Sequence, residues 1–205
     1  MITIKGAAET SFEVKKSRFI GLALRVGSEP EAQSEIEKRK KQHYNATHNC
    51  FAYVLENGIL RYSDDGEPQG TAGLPMLEVI KRSMLTDVLV ICTRYFGGTL
   101  LGAGGLVRAY TKSAADTLGA AQRVELIPCS VYACAFPYNV WVKAEKSISA
   151  SGYTAENIRY GEQVSADICV NEGREEAFLE YINSVSLGKV HPVFVERRLV
   201  ERQIV

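Results

Sequence analysis

Val131–Ser151 reads VYACAFPYNVWVKAEKSISAS. Val131 to Pro137 alternates as a strand, and Asn139 to Ser151 has helical spacing that Gly152 stops. Further on, Tyr153–Tyr160 and Val164–Val170 read as strands joined by a turn at Gly161-Glu162. Arg174–Val185 places Ala177, Phe178, Tyr181, Ile182 and Val185 at helical spacing, with Gly188 beyond its end. Val190–Val200 is the last strand. The order is βαββαβ, the split-βαβ or ferredoxin-like unit. A C-terminal ferredoxin-like domain is therefore predicted over residues 131–205, with a boundary near Ile127–Ser130 where Pro128 breaks the pattern.

Residues 1–130 form a second predicted domain of α/β character, which makes the whole chain α+β. Thr10–Val26 is a bent strand or a hairpin. Glu29–Gln42 is a charged helix with Ser28 as N-cap and Pro30 in its first turn. His48–Leu55 and Ile59–Ser63 flank a hairpin turn at Asn57-Gly58. A helix over Pro75–Met84 precedes Val88–Arg94, an apolar run that reads as a central strand. A helix over Leu106–Gly119 follows.

Composition narrows the function classes. Lys plus Arg equals Asp plus Glu at 24 each, so a wholly basic nucleic-acid binder is excluded and a local basic face is not. The 5 cysteines are odd in number and lack a C-x-x-C pair, which predicts reduced, buried thiols in a cytoplasmic protein. The N-terminus has no apolar signal-peptide core, and no apolar run is long enough to cross a membrane. No cofactor is expected.

The stretch TRYFGGTLLGAGGLVRAYTKSA, Thr93–Ala114, carries the first candidate site. It is not a Walker A loop, because Ala103-Gly104 stand where Lys and Ser/Thr belong. It is not a dinucleotide fingerprint, because Val107 stands at the last glycine position. Anion binding is still expected of Arg94, Gly97, Gly98, Gly104, Gly105, Arg108 and Lys112. Gly104-Gly105 can take positive φ, and Arg108 is placed in the first helical turn, where a bound anion would offset the unfavourable dipole. The competing reading is that the glycines let the helix pack tightly and the cations are solvated.

The second loop, RYSDDGEPQGTAGLP, offers Asp64, Asp65, Glu67 and Thr71 as a polar or metal site, against a tight turn with solvated carboxylates. It lacks the EF-hand pattern. His43, His48 and Cys50 lie close in sequence without paired zinc spacings, so no metal site is assigned; a Cys50–His48 nucleophile pair is weaker than a strand-interior Cys50. KRKKQH, Lys38–His43, ends a helix that begins acidic, and Glu35–Arg39 and Glu37–Lys41 are expected i,i+4 pairs, with contact of the Lys38–Lys41 run to RNA or phosphate as the alternative reading. Tyr95-Phe96 and Trp141 are expected in cores.

The stretches SRFIG (17–21), HNCFAY (48–53), SDDGEPQGTAGLPML (63–77) and VLVICTRYFGGTLLGAGGLVRAY (88–110) resemble the IMPACT/YigZ family, bacterial two-domain type. The resemblance implies an N-terminal fold like a ribosomal small-subunit protein domain and domain IV of the translocating elongation factor. It implies a C-terminal domain like domain V of that factor. It also implies RNA or ribosome association. Eukaryotic relatives regulate translation by competing for the activator of an initiation-factor kinase, and they carry an extra N-terminal domain that this chain is expected to lack. The leading expectation is a translation-associated binding protein that contacts RNA phosphates. An enzyme on a small phosphorylated substrate and a module docking on a translational-control protein stay open beside it.

Overall fold

The computed structural model describes residues 1–204. It divides into one compact unit over residues 1–125, with Gln203 and Ile204 grouped with it, and another over residues 126–202. The first unit opens with strand β1 (Ile2–Lys5), which pairs antiparallel with the first four residues of β7 (Gln122–Phe136). Strands β2 (Ala7–Val14) and β3 (Ser17–Arg25) form the hairpin that the sequence left open. Its turn is Lys15-Lys16, at φ 46 and 64, a conformation more usual for Asn-Gly.

Helix α1 (Glu29–Gln42), strands β4 (His48–Val54) and β5 (Leu60–Ser63), helix α2 (Gly73–Arg82), strand β6 (Val88–Tyr95) and helix α3 (Ala103–Ala120) follow. The sheet order is β2-β3-β6-β4-β5, antiparallel throughout, with β6 at the centre. Side chains alternate across a strand. Leu89 and Ile91 therefore pack with Ala32 and Ile36 of α1, while Val88, Val90 and Cys92 pack with Met76 and Ile80 of α2 and Tyr110 and Ala114 of α3. The sheet is buried on both faces, which is why β6 reads as an unbroken apolar run. Each large side chain enclosed this way contributes about 1.5–3 kcal/mol.

The glycine run behaves differently from its sequence reading. Helix α3 starts at Ala103, so Gly104 and Gly105 are helical and not at positive φ. The left-handed glycines are Gly98 (φ 82) and Gly102 (φ 72), the second being the N-cap. Burial of Leu106, Ala109 and Tyr110 offsets the poor helix propensity of two glycines in the first turn. Two other glycines are needed for close approach. A Cβ on Gly97 would lie 2.0 Å from the Lys16 carbonyl carbon, and one on Gly21 would lie 2.2 Å from Thr117 Oγ1.

The second unit comprises β7 from Leu126 onward, α4 (Tyr138–Ala150), β8 (Thr154–Tyr160), β9 (Val164–Asn171), α5 (Glu175–Ser186) and β10 (Val193–Gln203) as far as Arg202. This is the βαββαβ order. Strand β9 lies between β7 and β8, and β10 pairs with β7. Phe136, Trp141, Ile148, Ile168, Phe178 and Ile182 form its core, which puts α4 and α5 over the sheet. Pro128 does not end a strand. It lies between the part of β7 paired with β1 and the part paired with β9, where no amide is called on by either ladder, and its carbonyl accepts from Glu172 N at 3.0 Å.

Gly97→Ala is expected to cost about 3 kcal/mol or more in urea denaturation, because the added methyl meets backbone. Gly98→Ala meets open space and should lose only about 1–2 kcal/mol, the cost of positive φ for a residue with a Cβ. Equal losses at the two positions would contradict this packing.

Candidate functional site

The site grows from the end of β6. Thr93 and Arg94 point to opposite sheet faces, and Arg94 points to the α2/α3 side, opposite His48 of β4 in register. The loop after β5 is folded over this point by one carboxylate. Asp64 accepts from the amides of Gly70 (2.8 Å), Ala72 (3.0 Å) and Gly73 (2.8 Å), which caps α2 although the N-cap residue itself is Ala72. Asp65 accepts from Asn49 N at 2.7 Å and pairs with Lys40 at 3.5 Å. The Thr71 hydroxyl donates to the Pro68 carbonyl at 2.6 Å. The three carboxylates expected to act together thus have separate duties, and among the described residues no group of His, Cys, Asp and Glu is arranged to hold a metal.

Glu67 is the carboxylate turned inward. Its Oε1 accepts from Arg94 Nη1 and from the Tyr110 hydroxyl, each at 2.7 Å, and the Glu67 and Arg94 side chains are 3% and 6% exposed. Arg94 Nη2 also donates to Ser17 Oγ at 3.4 Å, and its Nε is buried without a partner. The guanidinium lies 5.5 Å from the ring centres of Phe19 and Phe96. Burial pushes the Tyr110 phenol well up, so it stays a proton donor to Glu67. His48 Nδ1 lies 2.7 Å from the Asp65 carbonyl. A carbonyl only accepts, so Nδ1 carries a proton, and Nε2 lies 3.8 Å from Glu67 Oε2.

A cleft of about 370 Å³ opens over these groups. His48, Gly66, Glu67 and Arg94 line one side, and Gly102 and Ala103 at the start of α3 line another. The two glycine-rich segments, read as separate candidates, therefore border one cleft. Cys50 is not a nucleophile beside it. Its thiol donates to the Asp64 carbonyl at 3.0 Å, and burial pushes it strongly up.

A second groove, about 300 Å³, lies along β2 and α3, with Phe12, Lys15, Leu101, Arg108 and Lys112 in its lining and Glu13 as its acidic member. Lys15 Nζ donates to the Leu100 carbonyl at 3.4 Å, and Lys112 lies 5.3 Å over the Phe12 ring while pairing with Asp116 at 2.5 Å. Of the residues expected to bind anions, the structure gathers Gly105, Arg108 and Lys112 here and sends Arg94 into the buried pair. Arg108 is the sixth residue of α3, so the first-turn dipole argument does not apply to it. Phe96, expected in the core, is 46% exposed.

The Lys38–Lys41 run is not a single patch. Ala32, Ile36 and Arg39 form the buried stripe of α1 at i, i+4 and i+7, so Arg39 turns inward, to Glu9 Oε2 at 2.8 Å and Thr93 Oγ1 at 3.1 Å. It does not pair with Glu35, which takes Lys38 at 2.6 Å. His43 bonds Tyr95 through Nδ1 at 2.9 Å, and burial lowers its pKa. His48 is the first residue of β4. The signal that it faces Arg94 lies in strand register, which a single sequence does not display.

Residues 15–118 match the Impact N-terminal domain. The chain is 45% identical over 189 residues to IMPACT family member YvyE of Bacillus subtilis (strain 168), covering 91% of this chain and 87% of that one. It is 42% identical over 102 residues to IMPACT family member YigZ of Escherichia coli (strain K12), covering 48% of this chain and 50% of the other. A crystal structure described as that of a hypothetical protein superposes with a TM-score of 0.61 at 28% identity, over 95% of this chain and 97% of that one. The chain belongs to the IMPACT family. Every stretch that carries the resemblance within residues 15–118 contributes to the α2/α3 side of the first sheet or to the glycine segments bordering the cleft.

Breaking the Glu67–Arg94 pair is expected to be worse than replacing it. Glu67→Leu alone should lose about 3–5 kcal/mol, and Glu67→Leu with Arg94→Met should recover most of that. A double-mutant cycle in urea measures this, and additive losses would contradict a coupled buried pair. The thiols give a pH prediction. Burial holds Cys92 and Cys134 up to about 12, against the usual 9.0. The unfolded chain then releases protons that the native chain keeps. Stability should be fully present below pH 9 and decline as pH rises from there toward 12. Urea midpoints across that range check it, and a flat profile would count against it.

Proposed function

We propose that the chain is a translation-associated binding protein that contacts the phosphate backbone of RNA, free or in the ribosome, through the outer face of its glycine segment. The observation that carries this reading is the groove between β2 and α3. Lys15, Arg108 and Lys112 are exposed around it, with Lys16 in the adjoining turn and the Phe12 ring in its wall. Cations beside an aromatic surface suit a single strand, where phosphates are neutralised and bases stack. Family membership supports the translational setting through the resemblance to eukaryotic regulators of translation. The folds that the family resemblance implies, like elongation-factor domains IV and V, would suit the same setting, with residues 1–130 as the RNA-contacting domain and residues 131–205 as its ferredoxin-like companion. The reading carries a cytoplasmic location with it; among the described residues no helix is long and apolar enough to cross a membrane.

Arg94 has no part in this contact, because its charge is already matched by Glu67 within the fold. The variant to test is therefore Lys15→Ala with Arg108→Ala and Lys112→Ala. Its affinity for a labelled single-stranded RNA should fall at low salt, and the slope of log K against log salt should flatten by about 2, near 0.7 per lost phosphate contact. Lys38→Ala with Lys41→Ala is the matched control and should bind as wild type. Association insensitive to salt, or undiminished in the triple variant, would sink the reading.

A further inference from the structure

The last strand of the second unit has no role in the RNA reading. We propose that β10 is a dimerisation surface, pairing antiparallel with β10 of a second copy of this chain about a two-fold axis at Leu199.

The sheet of the second unit ends on β10, which pairs with β7 on one side. An edge strand carries backbone donors and acceptors on its outer side that another strand can take up. Natural sheets blunt such edges. At the opposite end β8 does so, with 7 residues and a break in register between Glu156 and Arg159. Strand β10 has 11 residues and is exposed along almost all of them, with Val195 and Leu199 55% and 47% exposed.

Charges on an edge ordinarily repel a second strand. In β10 their order admits one particular partner. Residues directly opposite in an antiparallel pair share one hydrogen-bonding type, and that type alternates along a strand. In a symmetric pair of β10 strands, opposed residues are therefore an even number of positions apart, and the axis passes through a residue. Axes at Glu196, Arg197 or Arg198 set a charge against itself. An axis at Val200 sets Arg198 against Arg202. Axes nearer either end pair fewer residues. An axis at Leu199 opposes Glu196 to Arg202 and Arg197 to Glu201, each twice by symmetry, and Leu199 to its own copy.

The existing contacts leave room for these pairs. Glu196, Arg197, Glu201 and Arg202 are all exposed. Arg197 lies 4.0 Å from Glu172 and Glu196 lies 3.6 Å from Arg198, exposed pairs of little strength. Arg198 falls opposite Val200 and keeps its bond to Glu156 of β8.

Sedimentation velocity of the full chain tests this. The wild type should dimerise between about 1 µM and 1 mM. Arg197→Glu with Arg202→Glu, and separately Glu196→Arg with Glu201→Arg, set like charges at every opposed charged position. Each double variant should self-associate about a hundredfold or more weakly. Mixing the two should restore a dimer, now of unlike copies, because each Glu then meets an Arg. The quadruple variant with all four exchanges should dimerise as the wild type does. A wild type that stays monomeric at about 1 mM, a dimer undisturbed in either double variant, or failure of both the mixture and the quadruple variant to dimerise would overturn the proposal.

Discussion

The buried pair between Glu67 and Arg94 is the constraint around which the first unit is organised. It ties the loop after β5 to the central strand and, through Tyr110, to α3. A buried ion pair is weak as a source of stability, since desolvation offsets most of its attraction. Its effect here is positional. It holds two glycine-rich segments, far apart in sequence, on either side of one cleft. It also takes a conspicuous arginine out of the pool of groups that could meet a phosphate.

Once Arg94 is committed inward, the face around the glycine segment is defined by other cations. Lys15 and Lys16 stand in the β2–β3 turn, which the segment approaches so closely at Gly97 that no side chain fits. Arg108 and Lys112 stand one helical turn apart on α3. The glycines of this segment thus have structural reasons of at least two kinds, close approach and left-handed backbone. Neither requires a nucleotide. The segment presents a cationic outer face and, on the cleft side, the uncapped start of a helix.

Much of the architecture was legible in the sequence because it is local. The βαββαβ order of the second unit follows from alternation and helical spacing, and β6 betrayed its central position by apolar residues on both faces. The glycine run misled because composition was read as loop. Gly104 and Gly105 are drawn into α3 by the burial of Leu106, Ala109 and Tyr110, a tertiary effect. Pro128 misled because a proline is tolerated where a strand passes from one partner to another. Within the site, Arg94 and Glu67 were each picked out, but as members of different clusters. Their bond spans 27 residues, and His48 joins them only through the register of β4 on β6. Arg39 looked like part of a basic run until its place on the buried stripe of α1 turned it inward.

The central claim is that the outer face of the glycine segment meets RNA while the Glu67–Arg94 pair stays a fixed internal support. Hydrogen exchange on the full chain, with and without saturating single-stranded RNA, tests it most directly. The account predicts slower exchange at the β2–β3 turn around Lys15-Lys16 and over the α3 segment from Arg108 to Lys112, with the loop from Asp64 to Thr71 unchanged. Protection confined to α1 around Lys38–Lys41 or to the second unit, with none at the β2–β3 turn or α3, would contradict it.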